Sequence, residues 1–184
     1  MSDERIRTFI AAEIPESVRT SLDAAVEPVR RRQYEQRSTE STRGRRGRRG
    51  GVPLKWTRPE AWHLTLKFLG EISREDVERA TAVAREVAGG AAPFDAEVRG
   101  WGAFPNEDRP RVFWAGLSAG GEELVAISEA LDRRLADEGF PAEKKGFHPH
   151  LTLARVNDPR AGSQAWEALR DVAVDLAPFR VGRI

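Results

Sequence analysis

Two four-residue strings in this 184-residue chain have the composition of a catalytic pair: His63-Leu64-Thr65-Leu66 and His150-Leu151-Thr152-Leu153. On a β-strand alternate side chains share a face, so each string puts its His and Thr on one side and its leucines on the other. The leucines can bury in a core while the His/Thr pairs line a groove. Two imidazoles and two hydroxyls around one space suit in-line attack on a phosphodiester. One neutral imidazole takes a proton from the attacking water, and one imidazolium gives a proton to the departing oxygen. Histidine, with an unperturbed pKa of about 6.5, fills both roles near neutrality. The hydroxyls can donate to non-bridging phosphate oxygens as charge develops there. A lone His-x-Thr is more often a half-buried strand residue, so the repetition carries the reading. A metal site built from His63, His148 and His150 is the competing arrangement. Neither string contains Asp or Glu, and Thr is a poor zinc ligand, so no metal or cofactor is expected. His148 reads as a structural residue or a support for the site.

The elements that must hold these strings are readable from periodicity. Arg5–Ile14 is an apolar strand stopped by Pro15, and Glu16 to about Val29 has helical spacing at Val18, Leu22, Val26 and Val29. A short strand at Val52–Trp56 and a second at Ala61–Leu69 follow. Ser73 caps the next helix, which Gly89-Gly90 stops. Strands are expected at Phe94–Gly100, Arg111–Leu117 and Phe147–Val156. A helix with Leu124, Ile127, Leu131 and Leu135 on one face lies between the last two. A short helix near 164–172 and a strand from Phe179 end the pattern. TFIAAEI before HLTLKFLG resembles VFWAGLS before HPHLTLARV, with Phe9 matching Phe113, so a strand–helix–strand unit is duplicated. If a pseudo-twofold axis relates the halves, both His/Thr pairs face a shared cleft. Strict alternation places Lys67 with His63 and Thr65, where it adds positive charge to the groove or ends as a solvated side chain. The same parity places Arg155 opposite His150, so it reaches the groove only through a twist or bulge. Trp56, Trp62, Trp101 and Phe104 are candidates for base stacking or, more commonly, for core packing.

Composition excludes several classes. The chain has no cysteine, so disulfide scaffolds, thiolate nucleophiles and Cys-based metal centres are absent. No apolar run approaches the roughly 18 residues that cross a bilayer, and acids precede the first apolar run, unlike a secretory signal. A cytoplasmic monomer is expected. The net charge of +1 hides an asymmetry: residues 30–50 hold nine Arg and two Glu, which leaves 21 basic and 27 acidic residues elsewhere. Residues 30–51 read as a disordered Arg/Gly-rich insert within one domain spanning 1–184. Such a segment either tethers RNA beside the groove or is a tolerated surface insertion.

Four blocks, RTFIAAEIP, KWTRPEAWHLTLKFLGEI, GAFPNEDRPRVFWAGL and GFHPHLTLARV, cover nearly the whole chain in one order. Together they resemble the 2H phosphoesterases, and within them the RNA 2′,3′-cyclic phosphodiesterases once called 2′–5′ RNA ligases. The resemblance implies an α/β (α+β) fold: a bilobal duplicated unit, two antiparallel sheets facing a central groove, helices on the outer faces. It implies hydrolysis of RNA 2′,3′-cyclic phosphate ends, tRNA halves among them, to a 2′-phosphate. It further implies His63 as proton donor to the 3′ oxygen and His150 as the base, with Thr65, Thr152 and Arg155 at the phosphate. Reversible 2′–5′ joining, hydrolysis of a small cyclic nucleotide, and a non-catalytic RNA-binding module are the alternatives. Relatives continue past FRVGRI by one or two strands, where this chain ends at Ile184.

Overall fold

The computed structural model describes residues 4–42 and 53–184. Among these, seven strands and four helices follow one another along the chain: β1 (Ile6–Ala12), α1 (Glu16–Thr42), β2 (Leu54–Trp56), β3 (Leu64–Ile72), α2 (Arg74–Gly90), β4 (Phe94–Phe104), β5 (Val112–Ala119), α3 (Gly121–Asp137), β6 (Leu151–Val156), α4 (Pro159–Arg170) and β7 (Phe179–Val181). One 3₁₀ turn, Pro59–Ala61, lies between β2 and β3. The helix boundaries follow local chemistry. Ser73 Oγ accepts the Asp76 N–H at the start of α2, and the Asp158 carboxylate accepts the Arg160 and Ala161 N–H groups ahead of α4. No described helix is long and apolar enough to cross a membrane.

The strands form an α+β architecture in which the sheet order is β1-β3-β6-β5-β4-β7, with β2 also paired to β6, and every pairing is antiparallel. In place of two separate sheets the strands make one hydrogen-bonded series, but its middle link is thin. β3 meets β6 at a single pair, Leu64↔Leu151, and then diverges. β2 and β3 share one edge of β6: β2 covers residues 154–156, Thr57 donates to the Leu153 carbonyl at 2.7 Å, and β3 arrives at Leu151 after an excursion through the 3₁₀ turn. The core lies on the face where Leu64, Leu66, Leu151 and Leu153 are buried. Helices α2 and α3 pack together, with α3 reaching both β3 and β5; α1 packs against α4, which covers β4 and β6.

Both repeat units carry the same irregularity. On the β1–β3 ladder, Ala11 pairs Thr65 and Ile10 pairs Lys67, so Leu66 is an extra residue. On β5–β6, Trp114 pairs Thr152 and Phe113 pairs Ala154, so Leu153 is extra. Each is a β-bulge two residues after the paired leucine, and each leaves two consecutive buried residues, Leu66/Lys67 and Leu153/Ala154. The duplication is therefore real in three dimensions, but its register differs by one from the match of Phe9 to Phe113. Counting from the threonines makes Ala11 equivalent to Trp114 and Phe9 equivalent to Val112. Pairing sets this register, whereas residue type suggested the other.

Two further expectations are corrected. β4 runs on through the aromatic stretch to Phe104, with Gly100 at φ 76° absorbing the kink where its register to β5 shifts. Helix α1 continues to Thr42 rather than ending near Val29, so residues 30–42 of the expected disordered insert are helical. They lack an apolar stripe, but Arg30 bridges Asp23 and Glu27, and Arg31 faces Glu35 one turn on. The Gln33 side chain accepts the Trp56 indole N–H at 2.9 Å, tying this part of the helix to β2. The rest of the insert, 43–51, lies outside the described residues.

Candidate active site

The Leu64↔Leu151 pair is the hinge of the site. Directly paired residues on antiparallel strands point to the same face. With both leucines fully buried, the residues flanking each of them, His63, Thr65, His150 and Thr152, share the opposite face. A local twofold through the pair relates His63 to His150 and Thr65 to Thr152. In an ideal ladder the two histidine Cα atoms would stand about 8 Å apart. Beyond that single pair β3 and β6 are not hydrogen-bonded to each other.

Both imidazoles are anchored two residues upstream. His150 donates from Nδ1 to the His148 carbonyl at 2.6 Å, and His63 hydrogen-bonds to the backbone of Ala61. With Nδ1 of His150 holding a proton, its Nε2 carries the lone pair in the neutral ring. Each ring is also packed. Phe9 stacks on His63, centroids 4.6 Å apart at 13°, and Phe104 meets His150 edge-on at 5.0 Å. Burial lowers the pKa of both histidines. The Arg19 charge reinforces this at His63 and the neighbouring His148 at His150, against the raising effect of the carbonyl bonds. Both rings are thus biased toward the neutral form in the free protein. Arg19, Glu13, Glu60, Trp62 and Phe9 surround His63 in a cleft of about 510 Å³.

The bulges sort the remaining candidates. Past Leu153 and Ala154 the parity of β6 inverts, so Arg155 is exposed on the same face as His150 and Thr152. The same inversion on β3 removes Lys67 from that face, which corrects its placement in the groove. Its ammonium is buried, ion-paired to Asp132 on α3 and donating to the Pro141 carbonyl at 2.9 Å. Ser128, one turn earlier on α3, donates to the Leu66 carbonyl at 2.8 Å, so α3 satisfies the bulge itself. The position equivalent to Arg155 on β3 is Phe68. Phe68 and its cross-strand partner Phe9 are 59% and 44% exposed, the large apolar side chains bared on this face. Sequence reading missed both. Phe9 sits in an unbroken apolar strand, and simple alternation sends Phe68 into the core.

Of the four aromatic candidates, Trp62 is buried in the core, while Trp56 and Trp101 are half-buried with their N–H groups bonded to Gln33 and the Val172 carbonyl. Trp62 nevertheless borders the His63 cleft, and Phe104 packs against His150 beside Trp114 and His148. The Trp114 ring lies over Gly102, where a Cβ would come within 2.0 Å of it. Among the described residues, no group of three or more His, Asp or Glu side chains is arranged to hold a metal ion.

Comparison with known proteins follows the same lines. An RNA 2′,3′-cyclic phosphodiesterase of Aeropyrum pernix is 44% identical over 138 residues, 73% of each chain. One of Thermotoga maritima is 32% identical over 177 residues, covering 96% of this chain and 81% of its own. Among solved structures, a Thermus thermophilus protein aligns at a TM-score of 0.66 with 32% identity, over 96% of this chain and 84% of that one. Apo LigT of E. coli shares the fold at a TM-score of 0.59, with 21% identity over 97% and 84% of the two chains. The family model described as the 2′-5′ RNA ligase superfamily matches residues 45–184. A duplicated fold, paired His-x-Thr strings and these matches together place the chain in the 2′-5′ RNA ligase superfamily.

Proposed function

We propose that the chain hydrolyses 2′,3′-cyclic phosphate ends of RNA to 2′-phosphates by general acid–base catalysis without a metal. The observation that supports this is the single Leu64↔Leu151 pair, which sets the two His-x-Thr strings beside each other on one face. In the forward step Nε2 of His150 removes a proton from water as the oxygen attacks phosphorus. The P–O3′ bond breaks in line with that attack, and the His63 imidazolium gives its proton to O3′. The products are a 2′-phosphate and a 3′-hydroxyl; His150 is left charged and His63 neutral, and solvent exchange restores both. Thr65 and Thr152 hydroxyls and the Arg155 guanidinium stabilise charge on the non-bridging oxygens. The lowered pKa of His63 is reconciled by the substrate, whose anionic phosphate favours the imidazolium once bound.

Phe9 and Phe68 offer ring faces beside His63 on which a terminal base can stack without sequence preference. The partner is an RNA with a cyclic phosphate end, tRNA halves among the candidates, and the working unit is a cytoplasmic monomer. The test is turnover of a cyclic-phosphate oligonucleotide in chelator, with the product phosphate located. Hydrolysis to a 2′-phosphate that His63→Ala and His150→Ala each abolish supports the proposal; a need for added metal, or activity surviving either change, refutes it. The description of the matching family favours one second reading. A 5′-hydroxyl replacing water in the same chemistry would join ends 2′–5′, and a ligated product in the same assay reveals it.

A further inference from the structure

Three-residue β2 exists almost entirely to hold one side chain outward. Leu54 is buried, Trp56 is bonded to Gln33, and the strand is clamped at both ends: the Asn157 N–H donates to the Pro53 carbonyl at 2.8 Å, and the Thr57 N–H to the Leu153 carbonyl. Lys55 lies between them and pairs directly with Arg155 on β6. The two cations therefore share the face that carries His150 and Thr152, and both are exposed. Like charges placed opposite each other weaken a sheet. Among the described residues neither makes an ion pair, while Arg19, Arg30, Arg79, Arg99 and Arg134 all do. An anion laid across the pair would remove the repulsion.

We propose that Lys55 forms a second phosphate subsite, for the phosphodiester on the 5′ side of the terminal nucleotide, so that the groove selects a strand end over a free cyclic nucleotide. This rests on the function proposed above. Arg155 is on the strand that carries His150 and Thr152, and Lys55 stands one interstrand step, about 4.8 Å, to its side, on the edge of β6 that β3 also occupies. If Arg155 meets the reacting phosphate, Lys55 meets the next one. The opposite end of the same row offers no cation of its own, because Val112 and Phe104 occupy it. Lysine is a compact charge that reads no base edge, which fits a contact needed for any sequence.

The experiment compares an RNA tetranucleotide ending in 2′-phosphate with the matching 2′-mononucleotide, titrated against wild type, Lys55→Ala, Lys55→Gln and Lys55→Arg over a range of KCl. The tetranucleotide-to-mononucleotide affinity ratio is expected to fall about tenfold in the Ala and Gln variants, the magnitude of one exposed charge-assisted contact. The salt slope for the tetranucleotide should drop by about 0.7, one single-strand phosphate, and Lys55→Arg should keep both. An unchanged ratio, or equal weakening of both ligands, overturns the subsite. Because binding of product is read without turnover, a wild type that shows this ratio but hydrolyses no cyclic end would sink the catalytic reading alone.

Discussion

Asp132 offers a perturbation that separates folding from the site. The Lys67 side chain is 3% exposed and that of Asp132 25%. Removing one partner of a buried pair leaves the other charge unpaired and typically costs about 3–5 kcal/mol. Lys67 keeps the Pro141 carbonyl, and water reaches the Asp132 side, so Asp132→Ala belongs at the lower end, about 3 kcal/mol. For a chain of this length that is a fall in Tm of roughly 6–12 °C. Lys67→Met deletes the buried charge, keeps most of the stem volume and leaves a carboxylate that solvent can reach, so it should cost about 1 kcal/mol. The pair Lys67→Met with Asp132→Leu should regain much of what Asp132→Ala loses. Burial alone would raise the Asp132 carboxyl, but Lys67 and the Glu143 N–H hold it below the usual carboxylate range. Its contribution is therefore full above the unfolded-state value and lost as pH falls through the depressed folded one. Urea denaturation at several pH values, beside kcat/KM for a cyclic-phosphate end at a temperature where every variant is folded, measures both sides. If Lys67→Met raised KM while leaving the denaturation midpoint unmoved, the ammonium would serve the groove and the bulge argument would be wrong.

The pH profile of kcat/KM should be bell-shaped with both limbs on the acid side of the ordinary imidazole value, because burial lowers both histidines; a profile centred well above neutrality would contradict this. The same shifts make the unfolded chain the better proton binder, so stability is full above about pH 6.5 and declines as pH falls through the lowered folded values. Replacing either histidine by Gln should flatten that decline in a denaturation series. Gly102→Ala drives a methyl group into the Trp114 ring and should cost roughly 1–3 kcal/mol with loss of activity. Gly90→Ala, with open space around it, serves as the control, and equal effects of the two would refute the packing account. Deleting residues 43–51 should weaken RNA binding and flatten its salt dependence if the Arg-rich run tethers substrate; unchanged affinity and slope would assign it no such role.

The candidate groups and most elements were legible because they are written in near neighbours. Leucines at alternate positions, the Leu124/Ile127/Leu131/Leu135 stripe and the Ser73 cap each need only a few consecutive residues and appear in place, while each His-x-Thr string enters its strand one residue after the histidine. The fate of the next residues was not legible. HLTLKF and HLTLAR carry no mark of a bulge, since a bulge exists only relative to a partner strand. It turned Lys67 inward, to a carboxylate 65 residues away on α3, and turned Arg155 and Phe68 outward. The extension of α1 likewise depends on ion pairs and on Trp56 rather than on an apolar stripe. Residue types and their spacing thus determined which groups could act on a phosphate. Only the tertiary structure decided which face each one occupies, because strand parity is a property of the ladder and a buried charge is stable only where a distant element supplies its partner.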